Sequence, residues 1–351
     1  MAITESIARG AQGVSSNVDH STDTNGELRE QYQALFAPIA DEMQAVECIL
    51  REELVSRYDG VNSLLQQGVR LGGKRLRPAL LLLTARACGK VTEAHLTLAA
   101  VLEMIHTATL VHDDILDEAT LRRHHATVNA LAGNEASVLL GDFLFSHSFY
   151  LASTLESTFA CQRIGRTTNI VCEGEMRQIH SRGNYDLTEA EYLQIVEAKT
   201  AQLCACCCEL GAHYAGADVP QQRRCQEYGR NLGIAFQIVD DVLDLVGDTD
   251  RTGKSLGTDL EKEKMTLPFI RLLGTSDETR RSATIQRMSR PSSDARRELM
   301  DLLQGSDSLE YAGNVASRYA QTAQDQLDGL PAGPARQAMR QLTSFVLARH
   351  H

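Results

Sequence analysis

A chain of 351 residues has room for one large domain or two of ordinary size, and 43% hydrophobic against 23% charged residues is the balance of a globular protein. A formal net charge of −11 argues against non-specific nucleic-acid binding, which needs a basic surface; a bound anion must be met by a local basic cluster or by metal ions. The odd count of nine cysteines, with no apolar signal stretch in the opening residues, predicts reduced thiols in the cytoplasm, and no run approaches the ~18 apolar residues of a membrane span.

Residues 1–26 are rich in Ser, Thr, Asn, Asp and Gly and are expected to form a disordered leader. Helical periodicity starts near Glu27, so the expected domain is 27–351. The stretch "GVRLGGKRLRPALLLL" sets Lys74, Arg75 and Arg77 before an apolar helix with Pro78 near its first turn, and basic side chains at a helix start suit a phosphate. "LTLAAVLEMIHTATLVHDDIL" follows with apolar residues three and four apart, as do "EASVLLGDFLFSHSFYLAS", "EYLQIVEAKTAQL" and "EYGRNLGIAFQIVDDVLDLVGD". Phe143, Phe145 and Phe149 read as core, His124, His125, His350 and His351 as solvent-facing, and His180 as equally a packed or a cavity residue. Cys204, Cys206, Cys207 and Cys208 include a C-x-x-C but no second such pair, so they read as small core residues rather than as a zinc or redox site. "GTSDETRRSA" reads as a loop and "SRPSSDARRE" as a helix start. The seven prolines lie mostly in expected connectors, no convincing strand appears, and the fold class is all-α, one domain of long helices.

Two stretches carry the same Asp-Asp-x-x-Asp pattern, at Asp113, Asp114 and Asp117 and at Asp240, Asp241 and Asp244. On a helix, residues four apart lie about 40° apart around the axis, so Asp113 and Asp117 share a face, as do Asp240 and Asp244. Each like-charge pair weakens a bare helix by a few tenths of a kcal/mol. Set among apolar neighbours, four such carboxylates call for cations. Hard divalent ions such as Mg²⁺, which take one or two carboxylates plus phosphate oxygens, answer that need better than a solvated acidic face does. Arg122, Arg123, Lys199, Lys254 and Lys264 add anion-binding charge. Carboxylates for metal beside bases for anion suit a diphosphate substrate.

"GGKRLRP", "DDILDEATLRR", "GDFLFS", "EAKTA", "FQIVDDVLD" and "GKSLGTDLEKEKMTLP", in this order, resemble the trans-isoprenyl diphosphate synthases, or polyprenyl synthetases. The resemblance covers nearly the whole chain after the leader. It implies a bundle of long helices around a central cavity, a homodimer, and three Mg²⁺ ions joining the two motifs to an allylic diphosphate. The implied metal ligands are Asp113, Asp117, Asp240 and Asp244, with Asp114 and Asp241 outside the ligand shell. Isopentenyl diphosphate would meet Lys74, Arg77, His106 and Arg123. Geranyl, farnesyl or geranylgeranyl diphosphate would meet Arg122, Lys199, Thr200, Gln237, Lys254 and Lys264. The chain departs from the family at Glu263, where glycine commonly precedes the last lysine.

In such enzymes bulky aromatics just upstream of the first motif stop growth. Here the upstream residues are Ala108 and Thr109, then Ile105 and Leu102, none aromatic. Moving the floor from Ala108 to Leu102 deepens a channel by roughly 9 Å at 1.5 Å per residue. The resemblance is therefore to the long-chain members, of about six to ten isoprene units, whose product passes to the membrane. The alternatives are a short-chain synthase, a class I terpene cyclase, which normally lacks "GGKR", and a non-catalytic subunit, which usually loses an aspartate motif.

Overall fold

A computed structural model describes residues 34–71, 75–122, 125–246, 258–290 and 292–348, and one compact unit spans Leu35–His351. The expected leader lies outside the described residues. Within the unit the chain forms α1 (Ala40–Glu53), α2 (Asp59–Leu71), α3 (Leu76–Cys88), α4 (Glu93–Leu116), α5 (Val128–Ser153), α6 (Phe159–His180) and α7 (Glu189–Val196). After one π-helical turn, Glu197–Ala201, come α8 (Gln202–Tyr214), α9 (Val219–Val246) and α10 (Thr258–Glu261). The last five are α11 (Leu267–Thr275), α12 (Glu278–Met288), α13 (Ser293–Gln304), α14 (Ser308–Gln326) and α15 (Pro334–Ala348). The all-α expectation holds. Its one exception among the described residues is a two-residue antiparallel ladder, β1 (Leu121–Arg122) with β2 (His125–Ala126), pairing Leu121 with Ala126 and Arg122 with His125. Two residues are too few to show an alternating pattern, so the ladder left no sequence signal.

α4 is the central helix. It packs along α5 and against α1, α3 and α8, and is buried on several sides, through Leu98, Val101, Leu102, Ile105, Ala108 and Val111. By length and composition it could cross a membrane, contrary to the sequence expectation, but 67% of its apolar window is buried inside this fold. Its start is set by a capping box in which the Thr92 N–H donates to His95 Nδ1 at 3.0 Å. The same ring bonds the Gly211 carbonyl of α8 through Nε2 at 3.1 Å, which ties the two helices. α9, the second long core helix, packs on α8 and α14.

Pro78, Pro220, Pro268 and Pro334 stand in the first turns of α3, α9, α11 and α15 rather than in connectors, where a missing N–H costs nothing. "GTSDETRRSA" is mostly helix: only Ser276 and Asp277 separate α11 from α12, and Asp277 caps α12 by accepting the Arg280 N–H at 2.8 Å. Ser292 caps α13 likewise, at 3.1 Å from Ala295 N. Pro291 lies outside the described residues.

Candidate active site

Both aspartate motifs fall at the C-terminal ends of core helices. α4 ends at Leu116 with Asp117 as its C-cap, its N–H bonded to the Asp113 carbonyl at 2.7 Å, and α9 ends two residues after Asp244. Helix C-termini carry partial negative charge, so carboxylates there raise the demand for cations. The fold meets that demand with side chains. Lys199, on the π turn, places Nζ 2.5 Å from Glu175 Oε2 and 3.9 Å from Asp113 Oδ2, and donates to Gln178 Oε1 at 2.8 Å. Asp117 Oδ1 faces Lys262 Nζ at 2.7 Å, Arg182 Nη2 at 3.6 Å and Lys264 Nζ at 3.7 Å. Lys264 also lies 3.3 Å from Asp259 Oδ1, and the Asp259 N–H donates to Asp244 Oδ2 at 3.2 Å. The chain Asp117–Lys264–Asp259–Asp244 thus joins the two motifs.

The middle aspartates are held differently. Asp114 is 1% exposed and bound by Arg122, Nε at 2.8 Å and Nη2 at 2.7 Å from Oδ1. Asp241 is 7% exposed and accepts from Tyr192 Oη at 2.5 Å and Gln237 Nε2 at 2.7 Å, while Thr200 Oγ1 donates to Gln237 Oε1 at 2.8 Å. Burial, with the Asp259 and Asp240 carboxylates nearby, pushes the Asp241 carboxyl up to about 8. Here Arg122, Thr200 and Gln237 spend their bonds orienting the middle aspartates.

No group of three or more metal-ligating side chains is gathered around one point among the described residues. The surroundings nonetheless fit a divalent cation. Burial raises the Asp113 carboxyl, and the Glu175 and Asp117 carboxylates raise it further against the pull of Lys199. At Asp117 burial is outweighed by Lys264, Lys262 and Lys199, which hold its carboxyl low, so ammonium groups stand where a carboxylate needs positive charge. The oxygen-only donor set is that of a hard ion.

Beside Lys199 a small cavity is lined by Arg77, Ile105, His106, Thr109, Phe145, Thr168, Val171 and Leu203. Polar Arg77, His106 and Lys199 meet an otherwise largely apolar wall from α4, α5, α6 and α8. Of the chain-length residues, Ile105 and Thr109 line it; Ala108 and Leu102 are fully buried and are not among its lining.

Residues 59–303 match the pattern of the family described as polyprenyl synthetase. The octaprenyl diphosphate synthase of Escherichia coli is 36% identical over 314 residues, 88% of this chain and 96% of that protein. The chain belongs to the polyprenyl synthetase family. Among solved structures, a decaprenyl diphosphate synthase from Rhodobacter capsulatus superposes with a TM-score of 0.86 at 35% identity, covering 91% of this chain and 99% of that one. A polyprenyl synthase from Caulobacter crescentus, complexed with calcium and isoprenyl diphosphate, gives 0.86 at 34% identity, covering 91% and 98%.

Several polyprenyl synthetase residues singled out from sequence, Lys74, Arg123 and Lys254, lie outside the described residues, as do His124, His350 and His351. Arg75, grouped with the basic cluster, is structural: Nε lies 2.5 Å from Glu47 Oε1 and Nη1 2.9 Å from Glu103 Oε1. Phe143, Phe145 and Phe149 are only half-buried, and Phe145 faces the cavity, contrary to the core expectation. His125 and His180 are exposed. The cysteine cluster is buried as expected, and burial raises all four thiols, Cys206 to about 12. Glu175, Gln178, Arg182, Asp259 and Lys262 were not foreseen. Glu263 takes a left-handed φ of 52°, which explains the family's glycine there; Tyr185 Oη, donating to Glu263 Oε1 at 3.0 Å, holds the departure in place.

Proposed function

We propose that this chain is a Mg²⁺-dependent trans-polyprenyl diphosphate synthase that condenses isopentenyl diphosphate with geranyl, farnesyl or geranylgeranyl diphosphate into an all-trans product of about C30–C50. The observation that carries this reading is the link Asp117–Lys264–Asp259–Asp244 between the two aspartate motifs, with Lys199 and the cavity beside it. Asp113, Asp117, Asp240 and Asp244 would hold the metal, three ions with substrate bound, and the metal when bound supplies positive charge to the departing diphosphate. Lys199 and Lys264 stabilise the same charge as the allylic C–O bond breaks, because their ammonium groups are already oriented by Glu175, Gln178 and Asp259. Arg122, Thr200 and Gln237 keep the middle aspartates in register, and Arg77 and His106 serve isopentenyl diphosphate at the cavity mouth. The double bond of isopentenyl diphosphate attacks the allylic carbon, and the proton then lost passes to the released diphosphate. The apolar wall of Ile105, Phe145, Val171 and Leu203 receives the growing tail.

The names of the relatives, octaprenyl and decaprenyl diphosphate synthase, support the long product, and the absence of aromatics at Ala108, Thr109, Ile105 and Leu102 agrees with them. We infer a homodimer through α5 and α6, where Leu131, Val138, Leu139, Tyr150, Met176 and Ile179 are exposed. Nine free thiols support a cytoplasmic setting. Incorporation of labelled isopentenyl diphosphate onto farnesyl diphosphate tests the reading. Asp113→Ala and Asp240→Ala should each lower it by orders of magnitude with the circular-dichroism spectrum unchanged; full activity in either variant would refute the metal assignment. Analytical ultracentrifugation giving a monomer at micromolar concentration would refute the dimer.

A further inference from the structure

Three cations converge on one oxygen of Asp117, although a single carboxylate needs one. Lys262 makes the close pair at 2.7 Å and also donates to the Asp117 carbonyl; Arg182 and Lys264 stand off at 3.6 and 3.7 Å. Lys264 is shared with Asp259, whose Oδ1 lies 3.3 Å from its Nζ, so Lys262 is the close partner of Asp117. The Nε and Nη2 atoms of Arg182 are shut off from solvent and donate no hydrogen bond among the described residues. A guanidinium has five donors in a fixed fork, and buried donors without an acceptor are costly. Among the described residues these two donors find no hydrogen-bond acceptor, and Nη2 meets Asp117 Oδ1 only at ion-pair range, 3.6 Å.

The positions of these cations are built rather than incidental. Arg182 follows α6, and Lys262 lies between α10 and α11, 80 residues later. The two segments interlock: the Gly183 N–H donates to the Glu263 carbonyl at 3.0 Å, and Tyr185 Oη reaches Glu263 Oε1 at 3.0 Å. Gly183 itself has a φ of 71°, and a Cβ there would come within 3.4 Å of Glu263 Oε2. The turn at Glu263 that breaks the family's habit thus fixes Lys262 on one side and Lys264 on the other. Arg182 belongs to no motif recognised in the sequence, and Lys262, inside "GKSLGTDLEKEKMTLP", is not one of the two lysines there that the resemblance assigns to diphosphate.

We propose that Arg182 and Lys262 are diphosphate-binding residues that extend the cation set of Lys199 and Lys264 on the Asp117 side of the site. The proposal rests on the reading of Asp113, Asp117 and Asp240 given above. Diphosphate oxygens supply acceptors for Arg182, in the bidentate geometry a guanidinium prefers, and Lys262 contributes a point charge. Both cations now lie on Asp117, so an anion that draws them away also frees that carboxylate.

Calorimetric titration of the full chain with inorganic diphosphate in the presence of Mg²⁺ tests this. Arg182→Gln and Lys262→Gln should each raise the dissociation constant about tenfold, the loss of one charge-assisted contact. Lys262→Arg, which keeps the charge, should bind within about threefold of the unaltered chain. Dissociation constants within twofold of the unaltered value for both Gln variants would overturn the proposal, as would a lowered unfolding midpoint with unchanged affinity, the mark of a purely structural ion pair. Equal loss in Lys262→Arg and Lys262→Gln would also overturn it, because charge would not be what binds. Lys199→Gln and Asp240→Asn serve as references. If these retain full diphosphate affinity, the reading of the site itself fails; if they lose it while the Arg182 and Lys262 variants do not, only the present proposal fails.

Discussion

Gly174 offers a sharp test of how the site is positioned. On a helix, Gly→Ala normally stabilises by up to ~1 kcal/mol. At Gly174, in α6, an added Cβ would lie 2.7 Å from the Lys199 backbone nitrogen, 2.8 Å from Ala198 Cβ and 3.0 Å from the Ala198 carbonyl carbon. Ordinary carbon contacts sit near 3.5 Å, so α6 and the π turn would have to part by roughly 0.8 Å. Gly165, on the same helix, would place a Cβ 3.8 Å from Phe149 and meet nothing closer. The propensity gain is common to both sites, so the difference between them isolates the crowding. Overpacking of this kind costs ~1–3 kcal/mol, and Gly174→Ala should be less stable than Gly165→Ala by about that much in urea unfolding. The strain falls on the residue that carries Lys199, and a displacement of this size should lower turnover about tenfold or more, with Gly165→Ala near normal. Equal stability and equal turnover in the two variants would refute the close-approach argument.

Arg75→Met should destabilise the fold by about 3 kcal/mol, because Glu103, 1% exposed, would be left buried without its partner; urea unfolding measures it. Iodoacetamide at pH 8.5 should label exposed Cys48 and Cys172 in the native protein and leave Cys204, Cys206, Cys207 and Cys208 untouched until denaturant is added, as mass spectrometry would record. Burial lifts the Cys206 thiol from the ordinary 9 to about 12, so its share of stability is complete below pH 9 and is lost as pH rises towards 12, which urea unfolding across that range would measure. Ile105→Phe or Thr109→Phe should shorten the products by filling the cavity, and Phe145→Ala should lengthen them, as chromatography of the dephosphorylated products would show.

The two aspartate motifs were legible because they break a local rule, like charges four apart inside an apolar helix, and the buried periodicity of the helix Glu93–Leu116 was equally open to reading. What could not be read was partnership at long range. Lys262 meets Asp117 across 145 residues, and Glu175 meets Lys199 only where α6 crosses the π turn at Gly174. Nothing near either residue marks the contact. Arg75 and Arg77 look alike in "GGKRLRP", yet one neutralises Glu47 and Glu103 and the other faces the cavity, a difference set by where the α3 start points. Helical spacing alone reads Phe145 as core, because it cannot separate a wall of the cavity from the interior behind it.

The most direct measurement is the chain length of the product made from labelled isopentenyl diphosphate and farnesyl diphosphate in the presence of Mg²⁺. Elongation to about C30–C50 is the predicted result. No elongation, or products that stop at C15–C20, would contradict it.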